Sequence, residues 1–214
     1  MRPADPGPGS APDTGPDTGP DTFVTLDGTS LTVRPIAPGD ADRLVELHAR
    51  LSGDTIYRRY FGVRPALAPS VVARFTQVPE EWRFALVAVR EPDDLVAVAR
   101  YEGSPGATGA ELAVVVDDAL QHHGVGRAMV LRLVDVAAVR GLDTLVAEVL
   151  VENKAMLGLL RRLDVPFASR EGDETTRVLT LDLRGVALDA QRRARALAHV
   201  RRAEAMRAAA PGAG

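Results

Sequence analysis

Two glycines separated by one residue, Gly124 and Gly126, follow a valine-rich segment and precede a long segment of helical periodicity. Because glycine has no Cβ, the backbone can turn tightly at both positions and a ligand can approach it closely. The periodic segment, residues 125–140, is followed by Gly141, a residue typical of the position after a helix. A helix beginning at such a turn directs free N–H groups and the positive end of its dipole at the turn. The sequence therefore predicts a strand, a turn suited to phosphate and a helix.

Two common nucleotide-binding motifs do not fit this turn. A dinucleotide-binding fingerprint requires a third glycine or alanine where this chain has Met129, and its first glycine directly follows a strand. Here seven residues separate Val116, the end of the valine-rich segment, from Gly124. A P-loop ends in Gly-Lys and then Ser or Thr, whereas Gly126 is followed by Arg and Ala. The turn alone leaves open another phosphate-containing ligand or a tight connection that binds nothing.

Composition excludes several other classes of function. The chain has 214 residues and no cysteine, which removes disulfide frameworks, thiolate metal sites and cysteine nucleophiles. Its formal net charge of −3 gives no general reason to expect nucleic acid as a partner. We find no apolar run of membrane-spanning length and no apolar segment of a secretory signal, so we expect a cytoplasmic protein that does not act in a membrane.

The sequence divides into three parts. Residues 1–22 repeat Pro-Asp-Thr-Gly with almost no apolar side chains, and we expect this tail to be disordered. Residues 23–184 have the patterns of one α/β domain with a mixed sheet. Residues 185–214 are rich in arginine and alanine and predict a basic helix or tail. Such a segment either packs weakly on the domain or binds an acidic partner.

Strand and helix patterns alternate within the central part. Asp27-Gly28 is a pair typical of hairpin turns, and leucines recur at helical spacing after Asp40, a plausible N-cap. The predicted strands are residues 84–89, 95–101, 111–116, 145–151 and 177–183, and the predicted helices are residues 41–51, a segment beginning near residue 69, and residues 125–140 and 154–163.

The order of these elements resembles the acetyl-CoA-binding core of the GNAT superfamily of N-acetyltransferases. The resemblance is carried by residues 111–116, by the Gln-x-x-Gly-x-Gly turn at 121–126 and by residues 149–157, and it spans roughly residues 24–183. Residues 34–36 and 51–62 are similar to the bacterial protein-lysine acetyltransferase branch, which is related to the GNAT domains that modify acyl-CoA synthetases. The resemblance implies an α/β fold with a mostly antiparallel sheet flanked by helices. Its central strands would splay apart to form the acetyl-CoA cleft.

The resemblance also implies how acetyl-CoA, as cosubstrate, would be bound. The backbone of Ala113, Val114 and Val115 would bind the pantetheine arm as an added strand does. Asn153 would contact the cofactor near its thioester, although an asparagine before a helix is also a typical N-cap. Backbone N–H groups would bind the diphosphate, and the residues concerned are Gln121, His122, His123, Gly124, Val125, Gly126 and Arg127.

Glu111 is the candidate general base. A lysine ammonium has a pKa of about 10.4, so exposing its lone pair at neutral pH costs about 4.6 kcal/mol. A carboxylate can accept that proton directly or through a water, and Glu111 stands where the protein-acetylating branch places its base. Burial of its strand face along the cleft would partly desolvate the carboxylate. The alternative is a charge that keeps an edge strand soluble.

Several residues depart from the family pattern or invite other interpretations. Many GNAT enzymes protonate the leaving thiolate with a tyrosine where this chain has Leu160, and Tyr57, Tyr60 and Tyr101 are substitutes that the sequence does not rank. His122 and His123 have no carboxylate or third histidine at ligand spacing, so no metal site is predicted. We expect both imidazoles to face solvent.

The resemblance implies acetyl transfer to an amine in a ternary complex without a covalent enzyme intermediate. The favoured acceptor is a protein lysine, and an acyl-CoA synthetase is one candidate protein. Two alternatives stay open: acetylation of a small-molecule amine, and a regulatory module that binds acyl-CoA without catalysis. The sequence does not specify the oligomeric state.

Overall fold

Eight strands form one sheet in the computed structural model, which describes residues 19–63, 66–77 and 80–209. The strands are β1 (Asp21–Val24), β2 (Ser30–Pro35), β3 (Arg83–Arg90), β4 (Asp94–Glu102), β5 (Gly109–Val116), β6 (Thr144–Leu150), β7 (Phe167–Glu171) and β8 (Thr176–Asp182). Their order across the sheet is β1-β2-β3-β4-β5-β6-β8-β7, and only the pair β5 and β6 is parallel. The expectation of a mixed, mostly antiparallel sheet is confirmed.

Helices cover both faces of the sheet. They are α1 (Ala41–Arg50), α2 (Gly53–Tyr60), α3 (Pro69–Thr76), α4 (Val125–Val139), α5 (Lys154–Arg161) and α6 (Ala190–Ala209). On one face, Leu133 of α4 is buried in a core that contains Leu86 of β3. On the other face, Leu47 of α1 and Val72 of α3 are buried with Val87. Successive strand residues point to opposite faces, so β3 contributes to both cores.

The central strands β5 and β6 form a fork. They pair only from Gly109 opposite Thr144 to Glu111 opposite Val146. Beyond these residues β5 stays paired with β4 as far as Val116, and β6 stays paired with β8 as far as Leu150. Each strand therefore follows its outer neighbour and separates from the other, which confirms the splayed strands expected from the sequence.

The ordered domain begins earlier than expected. Residues 1–18 of the predicted disordered tail lie outside the described residues, but Asp21 and Thr22, also assigned to that tail, belong to β1. Asp21 forms an ion pair with Arg132 of α4, with Nε and Oδ2 2.7 Å apart, and a hydrogen bond with His199 of α6. The expected boundary at residue 23 is wrong. The partners of Asp21 lie far along the chain, so no local sequence pattern reveals them.

The segment after residue 184 contains α6, and residues 210–214 lie outside the described residues. Val186 and Val200 pack against the core, as expected for a helix that packs on the domain. Charge also holds the helix, since Arg192 and Arg195 form ion pairs with Asp135 of α4, which is fully buried. Ala196 and Ala203 are buried in the core shared with α4. The helix thus covers the outer side of α4.

Two elements have no counterpart in the sequence predictions. Helix α2 is short and largely polar, and it begins at Ser52, whose side chain accepts a hydrogen bond from the Thr55 N–H. Strand β7 is exposed along its whole length, so it lacks the alternation that indicates a strand. No helix in the described part of the chain combines the length and hydropathy needed to cross a bilayer.

Candidate active site

The fork between β5 and β6 opens into a cleft of about 430 Å³. The turn before α4 closes one end, and α2 and α5 contribute to its walls. Ten of the predicted site residues line it: Glu111, Ala113, Val114, Val115, Gln121, His122, Gly124, Gly126, Arg127 and Asn153. Val125 instead belongs to the core, with 1% of its surface exposed, and His123 lies outside the cleft lining.

The backbone of β5 is open to the cleft beyond Glu111. Its other edge is held by β4, with Ala113 opposite Arg100 and Val116 opposite Ala97. The pairing with β6 ends at Glu111, so alternate residues from there to Val116 direct N–H and C=O groups into the cleft without a strand partner. An extended ligand that contains amides can bind such an edge as an added strand.

The turn before α4 presents N–H groups to the cleft. Gly124 is the N-cap with a φ of 90°, and His122 also has a positive φ of 65°. The first hydrogen bond of the helix runs from the Ala128 N–H to the Gly124 carbonyl, at 3.0 Å. The N–H groups of the three residues between them therefore have no partner within the helix, which is the arrangement that binds anions.

Gly126 allows the turn to approach the cleft walls closely. A Cβ at this position would lie 3.0 Å from Leu159 Cδ1 of α5 and 3.7 Å from Val116 Cγ2 of β5. A Cβ here would therefore press against Leu159, whereas its distance to Val116 is that of an ordinary contact. The second glycine of the sequence motif is thus explained by packing as well as by ligand access.

The two histidines of the turn differ. His122 is exposed and lines the cleft, as expected for a solvent-facing side chain. His123 is half-buried, and its carbonyl accepts a hydrogen bond from the Leu26 N–H at 3.0 Å. The expectation that His123 faces solvent is wrong because the hairpin between β1 and β2 packs on the turn, a contact between distant segments.

Two aspartates fix the segment between β5 and the turn. Asp117 accepts hydrogen bonds from the Ala119 N–H and from Arg50 Nε of α1. Asp118 accepts from the Ser52 backbone and hydroxyl at 2.8 Å and from the Thr55 hydroxyl at 2.6 Å. Burial raises the pKa of Asp118, but these hydrogen bonds outweigh it and hold the pKa below its usual value. The carboxylate thus joins the start of α2 to the turn before α4.

Gln121 takes part in the same network. Its amide nitrogen donates to the Thr55 hydroxyl at 3.0 Å and to the Val116 carbonyl at 3.2 Å. These bonds hold the turn in place and use both N–H donors of the side chain. A ligand at the turn would therefore be bound by backbone N–H groups.

Asn153 caps α5 and lines the cleft. Its side-chain oxygen accepts a hydrogen bond from the Met156 N–H at 3.1 Å, which is the N-cap arrangement. Its amide nitrogen is available on the same side chain. The capping alternative is therefore confirmed, and it leaves a donor for a ligand in the cleft.

Glu111 lies at the vertex of the fork. It is opposite Glu102 on β4 and opposite Val146 on β6, so β5 is a central strand and the edge-strand interpretation is wrong. The side chain is exposed and lines the cleft. The expected partial desolvation is not observed, because the carboxylate stands where the cleft opens to solvent.

A second carboxylate, Glu148 of β6, lines the same cleft and was not singled out from the sequence. Its Oε1 accepts a hydrogen bond from the Thr176 hydroxyl at 2.9 Å. The available signal was a charge that interrupts an otherwise apolar strand. Two cleft-lining arginines of α2, Arg58 and Arg59, were likewise missed, since the helix itself was not predicted.

No tyrosine of the described chain lines the cleft. Leu160 is fully buried in the core, and Tyr101 is fully buried on the α4 side of the sheet. Burial raises the pKa of Tyr101 to about 12, even though Arg140 donates a hydrogen bond to its hydroxyl. Tyr57 is 44% exposed outside the cleft, and Tyr60 packs against His48. None of the three is positioned in the cleft as a proton donor.

Among the described residues, no group of three or more histidine, aspartate or glutamate side chains is arranged to hold a metal ion.

Comparisons with known proteins identify related chains. A model of the acetyltransferase (GNAT) family matches residues 54–164, just over half of the chain. Acetyltransferase PA5475 of Pseudomonas aeruginosa is 27% identical over 156 residues, which are 72% of this chain and 83% of that protein. Acetyltransferase Pat of Mycolicibacterium smegmatis is 32% identical over 134 residues, which are 61% of this chain but only 40% of Pat.

Solved structures share the fold. The GNAT domain of S. lividans PAT has a TM-score of 0.71 and 30% identity, and the match covers 78% of this chain and 99% of that domain. A cAMP-binding acyltransferase from Mycobacterium smegmatis has a TM-score of 0.58 and 25% identity, and the match covers 86% of this chain and 55% of that protein.

Proposed function

Since this chain belongs to the GNAT family of acetyltransferases, we propose that it transfers the acetyl group of acetyl-CoA to the side-chain amine of a protein lysine. GNAT enzymes use acetyl-CoA as their cosubstrate, and the chain is an acyltransferase. The finer proposal concerns the acceptor and the roles of the site residues. Similarity to the PAT domain and to Pat supports a protein acceptor, as does the resemblance of residues 51–62 to the protein-acetylating branch.

One observation carries the assignment of the site. A single cleft connects a turn with free N–H groups, an unpaired strand edge and an exposed carboxylate. A diphosphate at the turn and a pantetheine arm along β5 would place the thioester towards the vertex of the fork, near Glu111, with Asn153 beside the arm at the open end of β6. Glycines at 124 and 126 fit this ligand, since a side chain at Gly126 would crowd the walls.

Glu111 would accept the proton of the acceptor ammonium, directly or through a water. The neutral amine then attacks the thioester carbonyl, the positively charged nitrogen of the tetrahedral adduct gives its second proton to solvent, and the carbon–sulfur bond breaks to give the acetylated amine and a CoA thiolate. With no tyrosine of the described chain in the cleft, solvent returns a proton to the thiolate, which is a far weaker base than an amide leaving group. No covalent enzyme intermediate is required.

The two alternatives differ from the proposal in whether they need a base and in which amine they acetylate. A silent binding module would need no base, so an exposed carboxylate at the vertex of an open cleft argues against it. A small-molecule acetyltransferase would use the same proton transfer with a different acceptor.

The proposal is tested by incubating the protein with a cell lysate and labelled acetyl-CoA, with a reaction lacking the protein as control. We expect label in protein bands, at lysine residues when the bands are digested and sequenced. Label only in small molecules would contradict the lysine acceptor. Binding of acetyl-CoA without label in any product would favour the silent module.

A further inference from the structure

Glu148 stands across the fork from Glu111. Glu111 is the last residue of β5 that pairs with β6, and its partner is Val146. Glu148 lies two residues, or roughly 7 Å, further along β6, and it points to the same face of the sheet as Val146. Both carboxylates are exposed and line the cleft. One wall of the cleft therefore carries Glu111 and the other carries Glu148, both near the vertex.

The Glu148 side chain is held in position. Thr176 of β8 is 4% exposed, and its hydroxyl donates to Glu148 Oε1. The same hydroxyl oxygen accepts the Asp173 N–H at 3.0 Å, so its direction is fixed. A Cβ at Gly172 would lie 2.2 Å from that oxygen and 3.4 Å from Glu148 Oε1. The chain thus keeps a glycine where any side chain would displace the hydroxyl that orients this carboxylate.

Neither carboxylate of the cleft is neutralised within the described part of the chain. Glu102, on the strand next to Glu111, forms ion pairs with Arg74 and Arg100. Glu111 and Glu148 have no ion pair among the described residues, although the cleft contains arginines. Two carboxylates that form no ion pair attract a cation to the vertex, and they favour a charged amine over a neutral one.

We propose that Glu148 binds the ammonium group of the acceptor and holds it beside Glu111. This inference rests on the proposed function, because it deepens the role of the same cleft. An ammonium has three donors, so it can contact both carboxylates at once. Glu111 takes one proton, and Glu148 stays ionised and accepts a hydrogen bond from the remaining N–H groups. The neutral amine, still held by Glu148, then turns its lone pair from Glu111 to the thioester carbonyl.

The test replaces Glu148 by Gln, whose amide oxygen can still accept the Thr176 hydroxyl. With a capped peptide containing one lysine, E148Q is expected to raise the KM for the peptide roughly 10- to 100-fold, the range for a lost charged hydrogen bond. The KM for acetyl-CoA should stay near that of the wild type. The matched control is E171Q, the same change on the exposed strand β7 outside the cleft, which should leave both values unchanged.

A second probe separates charge recognition from a structural role. The same peptide with an aminooxy group in place of the lysine amine is uncharged at neutral pH. E148Q should change its KM little, because no ammonium is bound. An equal rise of KM for both peptides would overturn the inference, since a distorted cleft would affect them alike. An unchanged KM for the lysine peptide would overturn it as well.

A further variant and a further substrate class complete the test. Thr176→Val removes the orienting hydroxyl and should raise the KM for the lysine peptide, with a smaller effect on the aminooxy peptide; if E148Q does not fold, this comparison decides. If the wild type acetylates free primary amines but no peptide, the proposal of a protein lysine as acceptor is wrong. The KM values of E148Q and the wild type can still be compared on those amines, so the inference about Glu148 is tested separately. Absence of turnover with every amine would overturn both proposals.

Discussion

At the scale of single residues, the chemistry of the cleft depends on which carboxylates are left unpaired. Glu102 is opposite Glu111, but Arg74 and Arg100 neutralise it. Burial raises the pKa of Glu102, but the hydrogen bond from Arg74 and the positive charges of Arg100 and Arg74 outweigh burial and hold the pKa below its usual value. This carboxylate therefore stays ionised. Glu111 therefore has a neighbour whose charge is compensated, and we propose that Glu111 is the general base.

Glu111→Gln is expected to lower kcat/KM for a lysine peptide roughly a hundred- to ten-thousandfold, because glutamine cannot accept the ammonium proton. Acetyl-CoA binding, measured by calorimetry, should be unchanged, since the turn and the β5 backbone remain intact. Glu46→Gln, at an exposed position of α1, is the control. Unchanged turnover by the Glu111→Gln variant would contradict the assigned mechanism.

At the scale of secondary-structure elements, α2 acts as a brace for the turn before α4, where we propose that the cofactor binds. Asp118 receives hydrogen bonds from Ser52 and Thr55, and Thr55 also accepts the Gln121 amide. These bonds join the start of α2 to the segment between β5 and α4, which would otherwise be a loop with two residues of positive φ. The geometry of the anion-binding turn thus depends on a helix that lies 66 residues earlier in the chain, counted from Gln121 to Thr55.

Thr55→Val keeps the shape of the side chain but removes the hydroxyl at the centre of this brace. The free energy of unfolding should fall by about 1–3 kcal/mol, because Asp118 and Gln121 lose a partner. The KM for acetyl-CoA should rise several-fold, while kcat at saturation stays close to the wild-type value. Thr22→Val, at an exposed position of β1, serves as the control. A KM for acetyl-CoA equal to that of the wild type would argue against the brace.

At the scale of the whole molecule, charges join the first strand and the last helix to α4. Asp21 contacts Arg132 and His199, and Asp135 contacts two arginines of α6. Burial raises the pKa of Asp21, but the hydrogen bonds from His199 and Arg132 outweigh it and lower the pKa to about 2. Both ends of the described chain are therefore part of the stable domain.

The lowered pKa of Asp21 makes the free energy of unfolding depend on pH in the acid range. A carboxyl group whose pKa falls from 3.8 to about 2 on folding stabilises the protein above pH 4, and this contribution is lost as the pH falls towards 2. After allowance for solvent screening we expect about 1–2 kcal/mol of it in urea unfolding of the wild type. Asp21→Asn should lack this part of the acid dependence. Asp42→Asn, at an exposed position of α1, should behave like the wild type.

Removal of α6 should destabilise the domain rather than trim a tail. A chain ending at residue 189 lacks Arg192 and Arg195, the ion-pair partners of Asp135. It also exposes the outer side of α4. We expect a large fall in melting temperature or loss of soluble protein, whereas a chain ending at residue 209 should melt like the full chain. Equal melting of the shorter chain would contradict this role.

Local sequence determined the elements that form the cofactor turn and the fork. Gly124 and Gly126, the valines of β5 and the N-cap Asn153 each act within a few residues, so spacing and residue type predict them. Glu111 was found because its place relative to the turn matches a known family. Short or exposed elements such as α2 and β7 were not predicted, since they bury too few side chains to produce a periodic pattern in the sequence.

Tertiary structure alone decided which charges are paired and which remain free. Asp21 and Arg132 are 111 residues apart, and Asp135 and Arg192 are 57 apart, so no local pattern joins them. The sequence therefore placed Asp21 and Thr22 of the first strand in a disordered tail and could not show how α6 is held on α4. The same applies to Glu148, which enters the cleft only because β6 follows β8 away from β5. A charge acquires its role from the partners that folding brings to it, and those partners lie far along the chain.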